Sequence, residues 1–108
     1  MIPTVVVDDE LPARNEFKRF LTAEPDFHLV GEAQDGDQAL EVIKRFKPQV
    51  VFLDIHIPKK DGLEVAGELS QLDRPPLVVF VTAFDQYAIE AFELNALDYI
   101  LKPFDRER

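Results

Sequence analysis

Val50-Val51-Phe52-Leu53-Asp54 is four consecutive apolar residues closed by a carboxylate. A run without polar alternation suits a strand covered on both faces, as in a parallel sheet layered between helices. Working outward, comparable β-rich runs occupy residues 3–7, 27–32, 49–53, 77–81 and 96–101. Four are nearly continuous in Val, Ile, Leu and Phe and read as strands buried on both faces. The run at 27–32 is more mixed and reads as an edge strand.

Helical periodicity fills the gaps. Ala13, Phe17, Phe20 and Leu21 share one face, with Pro12 tolerated in a first turn. Ala39, Leu40, Ile43 and Phe46 form a second stripe, for which Asp35 is the expected N-cap. Leu63, Ala66 and Leu69 form a third, ended by Arg74-Pro75-Pro76, and Tyr87, Ala88, Ala91 and Phe92 a short fourth. The order is strand–helix repeated, which predicts an α/β fold with a doubly wound five-stranded parallel sheet. A fifth helix should follow the fifth strand, yet only Asp105-Arg106-Glu107-Arg108 follows Phe104. The final helix is therefore expected to be truncated or missing, with the sheet face beside the first helix partly bare.

With 108 residues the chain fits one domain. It carries no cysteine, which excludes disulfides and thiolate metal sites. Neither a signal peptide nor a membrane-spanning apolar run is evident, and together these features point to a cytoplasmic protein. The net charge of −9 opposes direct contact with nucleic acid phosphates.

The chemistry-bearing residues fall where the strands end. Asp8-Asp9-Glu10 follows the first run, Asp54 the third, Thr82-Ala83 the fourth and Lys102-Pro103 the fifth. In a doubly wound sheet those ends line one edge, where ligands bind. Carboxylates gathered there repel one another, and a cation relieves the repulsion. The side-chain donors are all oxygens, which suits a hard ion such as Mg²⁺. A carboxylate can also be a nucleophile and form an aspartyl phosphate. Lys102 could neutralise phosphoryl oxygens and Thr82 could donate to one. Taken singly, each residue has an ordinary reading: a turn or cap aspartate, a β-forming threonine, a surface lysine. Their combination at four strand ends carries the weight. An X–Pro bond such as Lys102-Pro103 is also where a cis peptide can occur.

These segments resemble a known family. Asp8-Asp9-Glu10, Leu53-Asp54-Ile55-His56-Ile57-Pro58 with Asp61-Gly62, Val81-Thr82-Ala83 and Asp98-Tyr99-Ile100-Leu101-Lys102-Pro103-Phe104 look like the signature of the response regulator receiver domain of two-component systems. The resemblance covers essentially the whole chain, residues 1–108, and implies a flavodoxin-like strand order of 2-1-3-4-5. It implies that Asp54 is the phosphoacceptor and Asp9 a direct Mg²⁺ ligand. Asp8 matches the acidic partner that often acts through water, and His56 the position whose backbone carbonyl ligates the metal. Thr82 matches the switch hydroxyl, Lys102 the lysine that pairs with the phosphoryl or acceptor carboxylate, and Tyr99 the switch aromatic. The implied partners are a histidine kinase or small phosphodonor and the protein's own output domain, which lies outside this chain. Thr82-Ala83-Phe84-Asp85-Gln86-Tyr87-Ala88 and Ala96-Leu97-Asp98-Tyr99 look most like regulators with a LytTR-type DNA-binding output. No membrane partner is implied, and a homodimer is left open.

Two other readings stand beside this one. An Mg²⁺-dependent phosphatase or mutase with an aspartyl nucleophile commonly has a second Asp two residues on, where this chain has His56. A receiver-like module serving only for interaction would not require the acidic, Thr and Lys set.

Overall fold

The computed structural model describes residues 1–103. Strands and helices alternate as β1 (Ile2–Val7), α1 (Leu11–Thr22), β2 (Phe27–Ala33), α2 (Gly36–Phe46), β3 (Val50–Leu53), α3 (Gly62–Leu69), β4 (Leu77–Thr82), α4 (Ala88–Glu93) and β5 (Asp98–Leu101). All pairings are parallel and the sheet order is β2-β1-β3-β4-β5. This is the expected flavodoxin-like order, with β2 at one edge. The order reverses between β1 and β3, so the crevice opens beyond the carboxyl ends of those two strands.

The two-residue period of the strands divides the core in two. Val5, Val7, Val51, Leu53, Val78 and Phe80 face one side, where Ala39 and Ile43 of α2 and Val65 and Leu69 of α3 cover them. Val6, Val50, Phe52, Val79 and Val81 face the other side, where Phe17 and Leu21 of α1 pack. The Phe17 and Phe52 rings lie with centroids 4.7 Å apart. Beside α1 a groove of about 310 Å³ remains over that second face, lined by Val6, Phe17, Phe52, Val81 and Pro103. The expected abbreviation of the final helix concerns residues 104–108, which lie outside the described residues.

The helix ends follow local chemistry. Asp35 caps α2 by accepting from the Gln38 N–H at 2.8 Å, as its position predicts. Asp61 and Glu64 form a reciprocal capping box at the start of α3, which fixes how the chain leaves β3. Pro12 sits in the first turn of α1.

The fifth strand differs from the buried run expected. Asn95 takes a positive φ of 65° and turns the chain, and the ladder starts only at Asp98 opposite Val79. With β4 as its one neighbour, β5 is an edge strand, exposed at both ends and half-buried between.

Candidate active site

Backbone hydrogen bonds pin three of the site residues just past their strands. The Asp8 N–H donates to the Ala33 carbonyl of β2 at 3.1 Å, and the Asp54 N–H to the Val7 carbonyl of β1 at 3.0 Å. The Lys102 N–H donates to the Thr82 carbonyl of β4 at 2.7 Å. Thr82 ends β4 in register with Leu101. Sheet register thus dictates where each functional side chain emerges.

Lys102, 94 positions from Asp8 and 48 from Asp54, brings the two carboxylates together. Its Nζ donates to Asp8 Oδ2 and, at 2.9 Å, to Asp54 Oδ2. Asp8 and Asp54 are 4% and 8% exposed and Thr82 is fully buried. Burial by itself lowers the Lys102 pKa, but the hydrogen bonds and charges of Asp8 and Asp54 outweigh it, and the ammonium is held above its ordinary range. The Lys102-Pro103 bond is cis.

The remaining carboxylate oxygens meet backbone donors. Asp8 Oδ1 accepts from the Glu10 N–H at 3.0 Å, and Asp54 Oδ1 from the His56 N–H at 3.4 Å. Carboxylate oxygens of Asp8, Asp9 and Glu10 lie within 4.8 Å of one another. Asp8 is buried while Asp9 and Glu10 face solvent. An all-oxygen set with high negative charge fits a hard divalent cation, not a soft one. Glu10, part of the acidic segment after the first run but not among the ligands implied by the resemblance, belongs to this cluster.

The two histidines are not ligands in tandem. His28 lies exposed on β2, while the His56 imidazole stacks on Phe84 at 4.1 Å and its Nε2 lies 3.2 Å from the Tyr87 hydroxyl. Tyr99 donates its hydroxyl to the Phe84 carbonyl, and the Phe84 N–H donates to Thr82 Oγ1 at 3.4 Å. Burial holds the Tyr99 phenol above its ordinary pKa, reinforced by the Asp85 charge.

Two residues have supporting roles that the sequence did not assign: Gly62, which entered only as part of the signature, and Arg14, which was not singled out. Gly62 donates its N–H to the Ile55 carbonyl at 2.7 Å, and a Cβ there would lie 2.3 Å from the Asp54 carbonyl oxygen. Only glycine lets α3 start this close to the acidic strand end. Arg14 donates to the Asp8 carbonyl oxygen at 2.8 Å. Its signal was a charge on the same helical face as Phe17 and Leu21.

Comparison with known proteins adds an independent line. Residues 4–108 match the model of the response regulator receiver domain. The chain is 49% identical over 108 residues to the sensory transduction protein LytT of Bacillus anthracis, covering all of this chain and 44% of that protein. It is 44% identical to the transcriptional regulatory protein BtsR of Escherichia coli (strain K12), covering 45% of that protein. It therefore spans less than half the length of these relatives. The response regulatory domain of mrkE from Klebsiella pneumoniae superposes with a TM-score of 0.93 at 38% identity, covering 99% of this chain and 88% of that one. Fold, strand-end chemistry and sequence agree, and the chain belongs to the response regulator receiver domain family of two-component systems.

Proposed function

We propose that Asp54 is the phosphoacceptor of this receiver domain, and that the Lys102 ammonium set between Asp8 and Asp54 is the observation that carries the assignment. Asp54 is a buried carboxylate at the end of the central strand β3, with a cation on one oxygen and a backbone N–H near the other. An attacking Asp54 oxygen forms a bond to phosphorus while the bond to the donor's leaving group breaks. The donor is a phosphohistidine of a histidine kinase or a small acyl phosphate.

Asp8, Asp9, Asp54 and the backbone carbonyl of His56 would hold Mg²⁺, with Asp8 acting through water. The ion would neutralise phosphoryl oxygens, as phosphoryl transfer requires. Lys102 then turns from its carboxylate partners toward the phosphoryl group as a point charge, and Thr82 donates its hydroxyl to a phosphoryl oxygen. Tyr99 reports the change at the surface through its bond to Phe84. The domain acts as a phosphorylated switch, a signalling phosphoacceptor with self-phosphorylation and dephosphorylation chemistry.

Residues 1–108 form one receiver domain that operates in the cytoplasm and controls an output domain outside this chain. LytT and BtsR are each more than twice as long as the match, and BtsR is a transcriptional regulatory protein; these support a transcriptional output, to which we assign a DNA-binding domain. Acetyl phosphate with Mg²⁺ should add one phosphoryl group by intact-mass spectrometry, and Asp54→Asn should abolish the addition. Undiminished labelling of that variant would remove the assignment.

A further inference from the structure

We infer that Arg14 is a positioning residue for the cation site, acting by fixing the peptide that joins Asp8 to Asp9; the inference rests on the proposed Mg²⁺ reading. The Arg14 side chain is 11% exposed and is held at two points. Its Nη1 donates to the Asp8 carbonyl oxygen at 2.8 Å, and its Nε to Glu32 Oε1 at 2.9 Å. Lys18, one helical turn on, donates to Glu32 Oε2 at 2.9 Å.

The planarity of the peptide bond makes the first contact consequential. The Asp8 carbonyl and the Asp9 N–H belong to one rigid unit. The Asp8 N–H is already tied to the Ala33 carbonyl. Adding Arg14 on the following carbonyl fixes the peptide planes on both sides of the Asp8 Cα, and with them the direction in which Asp9 leaves. Two like-charged carboxylates would otherwise turn apart to relieve their repulsion. Arg14 holds them convergent before any ion arrives.

Glu32 explains why a cation is tolerated here. A bare guanidinium beside a cation site would oppose binding by like-charge repulsion. Glu32 bonds Arg14 directly and shares a second cation, Lys18, and the Lys18 hydrogen bond is the chief cause holding its carboxyl below the ordinary range, against the opposing effect of burial. Arg14 thus contributes its fork geometry to the loop while Glu32 screens its charge.

Outer partners of metal ligands typically control affinity by about 10- to 100-fold. The test is calorimetric titration of the 108-residue chain with MgCl₂, alongside thermal unfolding of each variant without the ion. Arg14→Ala should raise the Mg²⁺ Kd by about tenfold or more. Arg14→Lys, which retains the charge but lacks the fork, should raise it too and serves if the alanine variant does not fold. Glu32→Gln should weaken binding by leaving Arg14 unscreened. Lys18→Ala leaves both Arg14 bonds in place and frees Glu32 to screen Arg14 alone, so it should not raise the Kd. A parent chain that does not bind Mg²⁺ would overturn the cation-site reading itself. A parent that binds, with folded Arg14 variants of lower Tm and unchanged Kd, would overturn this inference alone and leave Arg14 a structural ion pair.

Discussion

Replacing Lys102 by methionine isolates what its ammonium does, because methionine retains an unbranched apolar stem and removes the charge. Lys102 Nζ bonds both Asp8 and Asp54, whose side chains are 6% and 10% exposed. Removing one partner of a buried ion pair costs about 3–5 kcal/mol, since the other charge stays buried and unpaired. Lys102 retains 22% exposure, so water screens the crevice in part. We set the loss at about 2–3 kcal/mol at pH 7 without divalent cation. At about 4–8 °C per kcal/mol for a domain of this size, the variant should melt roughly 8–24 °C below the parent. Mg²⁺ at a hundred times its Kd stabilises by about 2.7 kcal/mol, close to the loss, so saturating MgCl₂ should restore most of the Tm. The parent should gain less, because the ion competes with Lys102 for the same oxygens. The pH dependence has a definite sign. The Lys102 pKa is raised from 10.5 because its carboxylate hydrogen bonds outweigh desolvation. A cation whose folded pKa exceeds its unfolded value contributes stability that is complete below 10.5 and lost as pH rises through the folded value. The gap between parent and variant should therefore hold through neutral pH and close at strongly alkaline pH. Circular dichroism melts with and without MgCl₂ measure all three effects. A Lys102→Met variant as stable as the parent without cation, or one that gains less from Mg²⁺ than the parent, would refute the reasoning.

Two further predictions concern the loop between β3 and α3. Gly62→Ala places a Cβ 2.3 Å from the Asp54 carbonyl oxygen and 2.8 Å from the Ile55 Cα, both backbone atoms. It should cost about 1–3 kcal/mol and slow acetyl phosphate labelling by displacing the acceptor, as read by urea unfolding and timed mass spectrometry. Asp61→Ala removes one half of the α3 capping box and should cost about 1 kcal/mol by urea unfolding, with an unchanged m-value.

The architecture was legible because burial and backbone geometry act on every residue of an element. Continuous apolar runs located the strands within one or two residues, since a strand covered on both faces admits few polar side chains. The fifth strand was misjudged at its start because Ala96 and Leu97 are apolar while their backbone still belongs to the turn after α4. Asp8, Asp54, Thr82 and Lys102 were legible as a set, because parallel topology carries strand ends to one edge. What stayed hidden depends on side-chain direction. Nothing in the spacing of His56 announced that its ring would leave the cation site and stack on Phe84. The contact of Arg14 with Glu32 was equally hidden, because it requires the packing of α1 against β2, a tertiary quantity.

The same arrangement bounds how the switch can operate. Phe84 is tied through both peptide groups that flank its Cα, by its N–H to Thr82 Oγ1 and by its carbonyl to the Tyr99 hydroxyl. The His56 and Phe84 rings add a third tie between this loop and the acidic strand end. On the proposed reading, a phosphoryl group on Asp54 draws the Thr82 hydroxyl away from Phe84, and the loop that holds Tyr99 is released one residue pair later. Such a change can only redistribute two conformations already available to the loop. Moving a two-state equilibrium from 1:99 to 99:1 needs about 5.5 kcal/mol of differential binding. A hydrogen bond to a charged group contributes about 1.5–3 kcal/mol. Thr82 alone therefore falls short, and the difference must come from the other groups that meet the same phosphoryl oxygens, the proposed cation among them. Among the side chains, Lys102, just past the strand that also carries Tyr99 and already bonded to Asp54, is placed to contribute on the proposed reading. On that reading the switch is a property of β4 and β5 moving together, with Lys102 and Tyr99 carried by one edge strand.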